Sequence, residues 1–220
     1  MIILGLKDII PSATFFTEEE TVQRQSTEWT WVIDPLDGTT NYIHGIPFYS
    51  ISVALMHHDE VVMGIIKDCA RSETFYAWQG GGAYLNGRPI TVSDTYQLSD
   101  AIMATGFPYY DFDRAESYIR ALMILMKRSR GIRRFGSAAL DLAYVASGRF
   151  DAFFEYGLNP WDVAAGILIV REAGGRVTTF SGLGSPIWDK EIVASSSSIS
   201  NELECLTREI FFTEAGHRIE

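Results

Sequence analysis

Residues 31–40 run Trp-Val-Ile-Asp-Pro-Leu-Asp-Gly-Thr-Thr, an apolar strand that ends in two carboxylates and turns at once into a new segment. Trp31-Val32-Ile33 reads as a buried strand. Pro35 lacks an N–H and has a fixed φ, so it is expected to take the chain out of the ladder. Gly38 relaxes the backbone, and Thr39-Thr40 bring N-cap chemistry. Carboxylates that converge raise each other's pKa until a cation neutralises them. Backbone N–H groups at a fresh helix N-terminus attract an anion. Carboxylates for a cation beside amides for an anion suit a metal-assisted phosphate site. The other reading is an acidic turn, because Asp-Pro-x-Asp-Gly is also ordinary turn chemistry.

A second segment narrows the choice. Asn159-Pro160-Trp161-Asp162 opens a helix, with Pro160 and Asp162 both suited to a first turn. The helix runs to Ala173 and stops at Gly174-Gly175, a C-cap signal. Apolar residues surround it, which predicts a buried helix. Asp162 is then a carboxylate at the mouth of that helix, either capping its dipole or joining Asp34 and Asp37.

Elsewhere the pattern alternates between strands and helices. Residues 1–10 read as a helix stopped by Pro11. Tyr49 to Met56 and Val61 to Lys67 form a hairpin, Glu73 to Trp78 a further strand, and Asn86-Gly87 a hairpin turn. Ala101 to Thr105 is a short strand, and Asp113 to Lys127 has helical periodicity. Ser137 to Ser147 is a helix with Ser137 as N-cap. Asp151 to Tyr156, Arg176 to Phe180 and Glu191 to Ala194 are strands. Ser195 to Ser198 is a cap or loop before a closing helix near 200–211. Hairpins first and strand–helix alternation later predict an α/β (α+β) fold, an antiparallel sheet lobe beside an α/β lobe.

Composition sets limits. The chain has 220 residues and a formal net charge of −10, with a sequence pI near 4.9. That balance argues against general binding to nucleic acid or to acidic membranes, both of which call for basic patches. The two cysteines, Cys69 and Cys205, lack metal spacing and cannot form a disulfide framework, which points to a reducing, cytoplasmic setting. No apolar run reaches membrane-spanning length.

WVIDPLDGTTNYIHGIPFYSISVAL (31–55) and NPWDVAAGILIVREAGG (159–175) resemble signatures of the inositol monophosphatase family. FFTEEE (15–20), GGGAYLNGRPI (80–90) and FGSAALDLAYVASGRFDAFFEYG (135–157) match in the same order. The resemblance spans nearly the whole chain. It implies one catalytic domain over 1–220, in a layered α/β/α/β/α fold with lobes near 1–100 and 101–220. The activity implied is Mg²⁺-dependent hydrolysis of a small sugar or polyol phosphate monoester, such as inositol 1-phosphate. It further implies two or three Mg²⁺ per site, sensitivity to lithium and a homodimer. The alternatives are a fructose-1,6-bisphosphatase or nucleotide 3′-phosphatase on the same scaffold, or a truncated, catalytically weak metal-binding module.

Carried over residue by residue, the resemblance gives Glu18, Asp34 and the Leu36 carbonyl one Mg²⁺, and Asp34, Asp37 and Asp162 a second. Gly38 and Thr39 amides would bind phosphate. Thr39, Glu18 and Asp37 would carry catalysis. Asp37, Ser137, Ala138, Glu155 and Asp162 would meet the substrate, with Glu155 accepting from polyol hydroxyls. The run Glu18-Glu19-Glu20 leaves Glu19 as an alternative ligand. The family also begins with two helices and a strand before the Glu-Glu motif. The chain is therefore expected to lack the first helices, together with a lysine and the acidic partner of Thr39. His57-His58 reads as a solvated turn, His44 as a border of the site, and Arg133-Arg134 as a surface salt bridge by default, with an interface or a substrate rim as the other reading.

Overall fold

Apolar side chains alternate along two sets of strands, and each set closes into a sheet. The computed structural model describes residues 2–19, 27–108 and 112–212. The first sheet takes β1 (Thr14–Thr17), β2 (Trp29–Asp37), β3 (Ser50–His57), β4 (Glu60–Asp68), β5 (Glu73–Trp78), β6 (Ala83–Leu85) and β7 (Arg88–Ile90) in that spatial order. β1 runs parallel to β2, and every other neighbour in that sheet is antiparallel. The second sheet uses β8 (Ile102–Thr105), β9 (Gly131–Arg133), β10 (Ala152–Tyr156), β11 (Arg176–Thr178) and β12 (Glu191–Ser195), in the order β11-β12-β10-β8-β9. β8 is parallel to both β9 and β10.

Six helices fill the layers among the described residues: α1 (Ile2–Ile9), α2 (Thr39–Ile43), α3 (Ala115–Arg128), α4 (Ala138–Ala146), α5 (Pro160–Glu172) and α6 (Ser197–Phe212). α4 and α5 lie between the sheets in one continuous core with Val32, Ala54, Ile66 and Phe75 on one side and Phe153, Ile192 and Ala194 on the other. The opposite face of the second sheet presents Met103, Phe154 and Val193 to Tyr118 and Leu125 of α3 and Leu203 of α6. The outer face of the first sheet packs Trp31, Ile33 and Leu55 against Ile2, Ile3 and Leu6 of α1. The result is the α/β/α/β/α layering that the family resemblance implies. Adjacent residues Phe153 and Phe154 point into different cores because successive strand side chains alternate.

Small residues bring α5 close enough to serve as the middle of this stack. A Cβ on Gly64 of β4 would stand 2.7 Å from the Ala165 carbonyl of α5. One on Gly166 would stand 2.5 Å from Leu142 of α4. The helix that the sequence predicts as buried is buried from Val163 through Val170.

Three local expectations change. Pro35 leaves the ladder as expected but does not end β2. Pairing with β3 skips over Pro35 and Leu36, then resumes at Asp37 opposite Ser50. The missing N–H is absorbed in a bulge, which turns both Asp34 and Asp37 toward one end of the sheet. The N-cap of α2 is Gly38, at φ 87°, rather than Thr39 or Thr40. α6 begins at Ser197, so two of the four serines are helical.

Candidate active site

β2 delivers Asp34 and Asp37 from either side of its bulge, and the first turn of α5 delivers Asp162. A carboxylate oxygen from each lies within 4.8 Å of the others. All three line a cavity of roughly 440 Å³, a size that suits a small ligand. Leu36, Gly38, Thr39, Ser137, Ala138, Glu155 and Glu18 line the same cavity. So every site residue picked out from the sequence is brought to one place.

Each carboxylate is held by neighbours that fix its direction. Asp34 accepts from the Leu36 amide at 2.8 Å. Asp37 accepts at one oxygen from the hydroxyls of Ser50 and Ser137 and from the Ala139 amide at 2.9 Å. Ser137 caps α4, so the start of that helix and Asp37 are locked together. Asp162 accepts from the Asn159 amide at 2.7 Å, closing the first turn of α5. The capping and clustering roles left open for Asp162 therefore coincide in one side chain.

These hydrogen bonds do not offset the crowding. Burial, then the charge of Asp37, pushes Asp34 up to about 9. Burial raises Asp37 to about 6, against its serine and amide donors. Burial and the charge of Asp37 raise Asp162 to about 7. Glu155, buried on β10, is pushed well above the usual range by burial and by Asp162 and Asp37, with Arg134 pulling the other way. The site disfavours its own negative charge until something positive enters.

Glu18 sits in the bend after β1. The parallel register sets Thr17 beside Ile33, so Glu18 leaves the sheet next to Asp34. Phe16 packs on Trp161 with ring centroids 5.2 Å apart, which ties this edge to the start of α5. Glu18 lines the cavity and Glu19 does not, whereas Glu20 lies outside the described residues. The Thr39 hydroxyl donates to the Leu36 carbonyl at 2.8 Å. His44 is exposed and does not line the cavity. His57 stacks on Trp29 at 4.4 Å, on the outer face of the first sheet.

Three contributors escape sequence reasoning. Asn41, buried in α2, donates to the carbonyls of Phe48 at 2.8 Å and Phe135 at 2.7 Å, clamping the corner to the loop before α4. Asp141, buried in the first turn of α4, has an oxygen without a hydrogen-bond partner. Lys190 reaches the cavity from the corner before β12. An amide in a Thr-Thr-Asn-Tyr run and an acid inside an apolar helix carry no local signal of these contacts.

Gly38 is demanded by its setting. At φ 87° a Cβ would lie 3.0 Å from the Phe48 carbonyl and 3.2 Å from that of Gly136. Gly38→Ala is expected to cost about 1–3 kcal/mol, read by thermal denaturation. A melting temperature within a degree of the parent would show that the corner yields freely.

The sequence profile described as "Inositol monophosphatase family" matches residues 1–210. The chain belongs to the inositol monophosphatase family. Its relatives in that family include "Inositol-1-monophosphatase" of Rhizobium meliloti, 44% identical over 194 residues, covering 88% of this chain and 73% of the relative. "Nus factor SuhB" of Pseudomonas aeruginosa is 43% identical over 201 residues, 89% and 74% of the two chains. "Fructose-1,6-bisphosphatase/inositol-1-monophosphatase" of Thermotoga maritima is 39% identical over 210 residues, 96% and 79%. Among solved structures, the extragenic suppressor protein suhB from Bartonella henselae superposes with a TM-score of 0.89 at 40% identity, covering 98% of this chain and 81% of that one. Family membership places the chain among phosphatases, hydrolases of phosphate esters. No helix among the described residues is long and apolar enough to cross a membrane.

Proposed function

We propose that the chain hydrolyses a small sugar or polyol phosphate monoester, with Mg²⁺ held by Asp34, Asp37 and Asp162. The observation that carries this reading is the convergence of those three carboxylates, oxygens within 4.8 Å, at the wall of one cavity. Their raised pKa values mark a site short of positive charge. Hard oxygen donors in that number suit Mg²⁺, with waters completing its shell. Glu18 and the Leu36 carbonyl extend the donor set on the side of Asp34, which makes room for two or three ions. Bound there, Mg²⁺ would lower the pKa of a water and stabilise the departing alkoxide.

The chain's own groups orient the rest. Ser50, Ser137 and the Ala139 amide hold Asp37 so that its other oxygen faces the cavity group. The Thr39 hydroxyl spends its proton on the Leu36 carbonyl, which leaves its lone pairs to accept from a water. Gly38 and Thr39 amides take phosphate oxygens. Ser137, Ala138 and Glu155 line the wall that the sugar would meet. Burial and the charges of Asp162 and Asp37 hold the pKa of Glu155 up while the aspartates are unneutralised. Glu155 becomes a better acceptor for hydroxyls once their charge is cancelled.

The test is turnover of inositol 1-phosphate, fructose 1,6-bisphosphate and adenosine 3′,5′-bisphosphate with Mg²⁺ and with excess chelator. Hydrolysis of one or both sugar phosphates that stops on chelation is expected. Full activity in chelator would remove the metal from the mechanism. Mg²⁺ binding without hydrolysis of any of the three would leave a metal-binding module.

A further inference from the structure

β8 and β10 run side by side in parallel, with Thr105 opposite Phe154. The residues after that pair on one strand and on the other, Gly106 and Glu155, both line the cavity. The backbone of Gly106 does not call for glycine. Its φ is not among the positive values that other glycines of the chain adopt, so a residue with a side chain could take the same conformation. Space is what excludes one. A Cβ on Gly106 would stand 2.0 Å from one Glu155 carboxyl oxygen and 2.1 Å from the other oxygen and from the carboxyl carbon. The Glu155 carboxyl group therefore occupies the very volume that a side chain at position 106 would fill.

The two strand ends are held too firmly to part and admit both groups. From α3, the Tyr118 hydroxyl donates to the Gly106 carbonyl at 2.6 Å and also lies 3.3 Å from the Phe154 carbonyl. The Thr105 hydroxyl donates to the same Phe154 carbonyl at 2.8 Å. Tyr118 and Thr105 are both buried, so these bonds are shielded from competing water. The backbones beneath Gly106 and Glu155 are tied to each other one residue away from the contact. Of the two partners in that contact, only the end of the Glu155 side chain is free to move.

We propose that Gly106 is a positioning residue for Glu155: its bare Cα seats the Glu155 carboxyl group against the end of β8, and this seat sets where the cavity accepts a hydroxyl of the substrate. The inference rests on the phosphatase reading above and names a residue that governs how the sugar is held. Gly106 meets no substrate itself and acts through the carboxyl group it accommodates. A methyl group at position 106 evicts that carboxyl group and leaves the fold in place, because the tip of a side chain yields where clamped backbone does not.

The experiment is a double-mutant cycle. KM and kcat for inositol 1-phosphate and fructose 1,6-bisphosphate are measured in Mg²⁺ with the parent, Gly106→Ala, Glu155→Ala and the double variant. Gly106→Ala is expected to raise KM for whichever sugar phosphate is turned over by roughly three- to tenfold, the scale of one misplaced hydrogen bond to a charged group, while kcat changes less than about twofold. In the Glu155→Ala background the same methyl group should alter KM by less than about twofold, since no carboxyl group remains to displace. An equal rise in both backgrounds would make the methyl group a plain obstacle to substrate and overturn the proposal. An unchanged KM in the Gly106→Ala single variant, or a loss confined to kcat, would overturn it too. If neither ester is hydrolysed, the phosphatase reading fails on its own account. The role of Gly106 is then judged by calorimetric titration of the four proteins with inositol 1-phosphate in Mg²⁺. Binding weakened by Gly106→Ala only where Glu155 is present supports it, and equal binding or none overturns it.

Discussion

Asp162→Asn is expected to lower kcat by roughly three orders of magnitude while raising the melting temperature of the metal-free protein at pH 8. Both effects follow from one geometry. The Asp162 oxygen that accepts from the Asn159 amide can be replaced by an amide oxygen, so the first turn of α5 stays closed. The charge cannot be replaced. A helix N-terminus favours that charge by about 0.3–1 kcal/mol, but burial and Asp37 outweigh it, since the net effect raises Asp162 to about 7. Asparagine therefore stabilises the metal-free fold where the acid would be ionised, by a few degrees on the scale of about 2–4 °C per kcal/mol. At pH 5 the folded acid already carries its proton, so the gain should shrink, and it should vanish only below the ordinary value of 3.8. Losing a metal ligand removes several kcal/mol of transition-state stabilisation, and each ~1.4 kcal/mol is a tenfold change. Near-parental turnover with a lower melting temperature at pH 8 would make Asp162 a helix cap and nothing more.

The residues that could be read from the sequence are those whose signal is local. α5 was legible because apolar residues occupy every side of it, and α4 because Ser137 precedes an apolar run interrupted only by Asp141 and does cap it. Asn86-Gly87 predicted its hairpin through the positive φ both residues adopt, 48° and 80°. β1 was hidden. Four residues, Thr-Phe-Phe-Thr, have no clear alternation, and their pairing is parallel to β2 across a connection that local pattern does not encode. β9 is three residues long and sits at a sheet edge. β2 was cut short at Pro35 because a proline without an N–H reads as a stop unless the partner strand can skip two positions.

The site divides along the same line. Asp34, Asp37 and Asp162 follow an apolar strand or open a buried helix, and that context marked them. Asn41 acts through the Phe135 carbonyl, 94 residues away, and Lys190 through a cavity built by other segments, and only the packed layers bring these together. Asp141 shows the limit most plainly. An acid buried between α4 neighbours, raised well above its ordinary pKa by burial and by Glu155, looks in sequence like the polar face of an amphipathic helix.

The three aspartates also predict how the metal-free protein responds to pH, and how Mg²⁺ reverses that response. Asp34, Asp162 and Asp37 titrate at about 9, 7 and 6 in the fold, against an ordinary value of 3.8. A carboxyl group whose folded pKa is raised lends stability below its unfolded pKa and loses it as pH rises through the folded one. Stability in chelator should therefore fall from about pH 4 to pH 9, most steeply below pH 6 and less so as Asp37, Asp162 and Asp34 ionise in turn. Mg²⁺ binds the ionised forms, so its stabilisation should grow over the same interval. At 100 times the dissociation constant it adds about 2.7 kcal/mol, or roughly 5–10 °C for a chain of this size. Binding at pH 7 must also displace protons, nearly one from Asp34 and about half of one from Asp162. Calorimetric titration in buffers of different ionisation enthalpy should count between one and two per site. A melting temperature in chelator that is flat from pH 5 to pH 9, with no protons released on adding Mg²⁺, would mean that the three carboxylates do not share one cation.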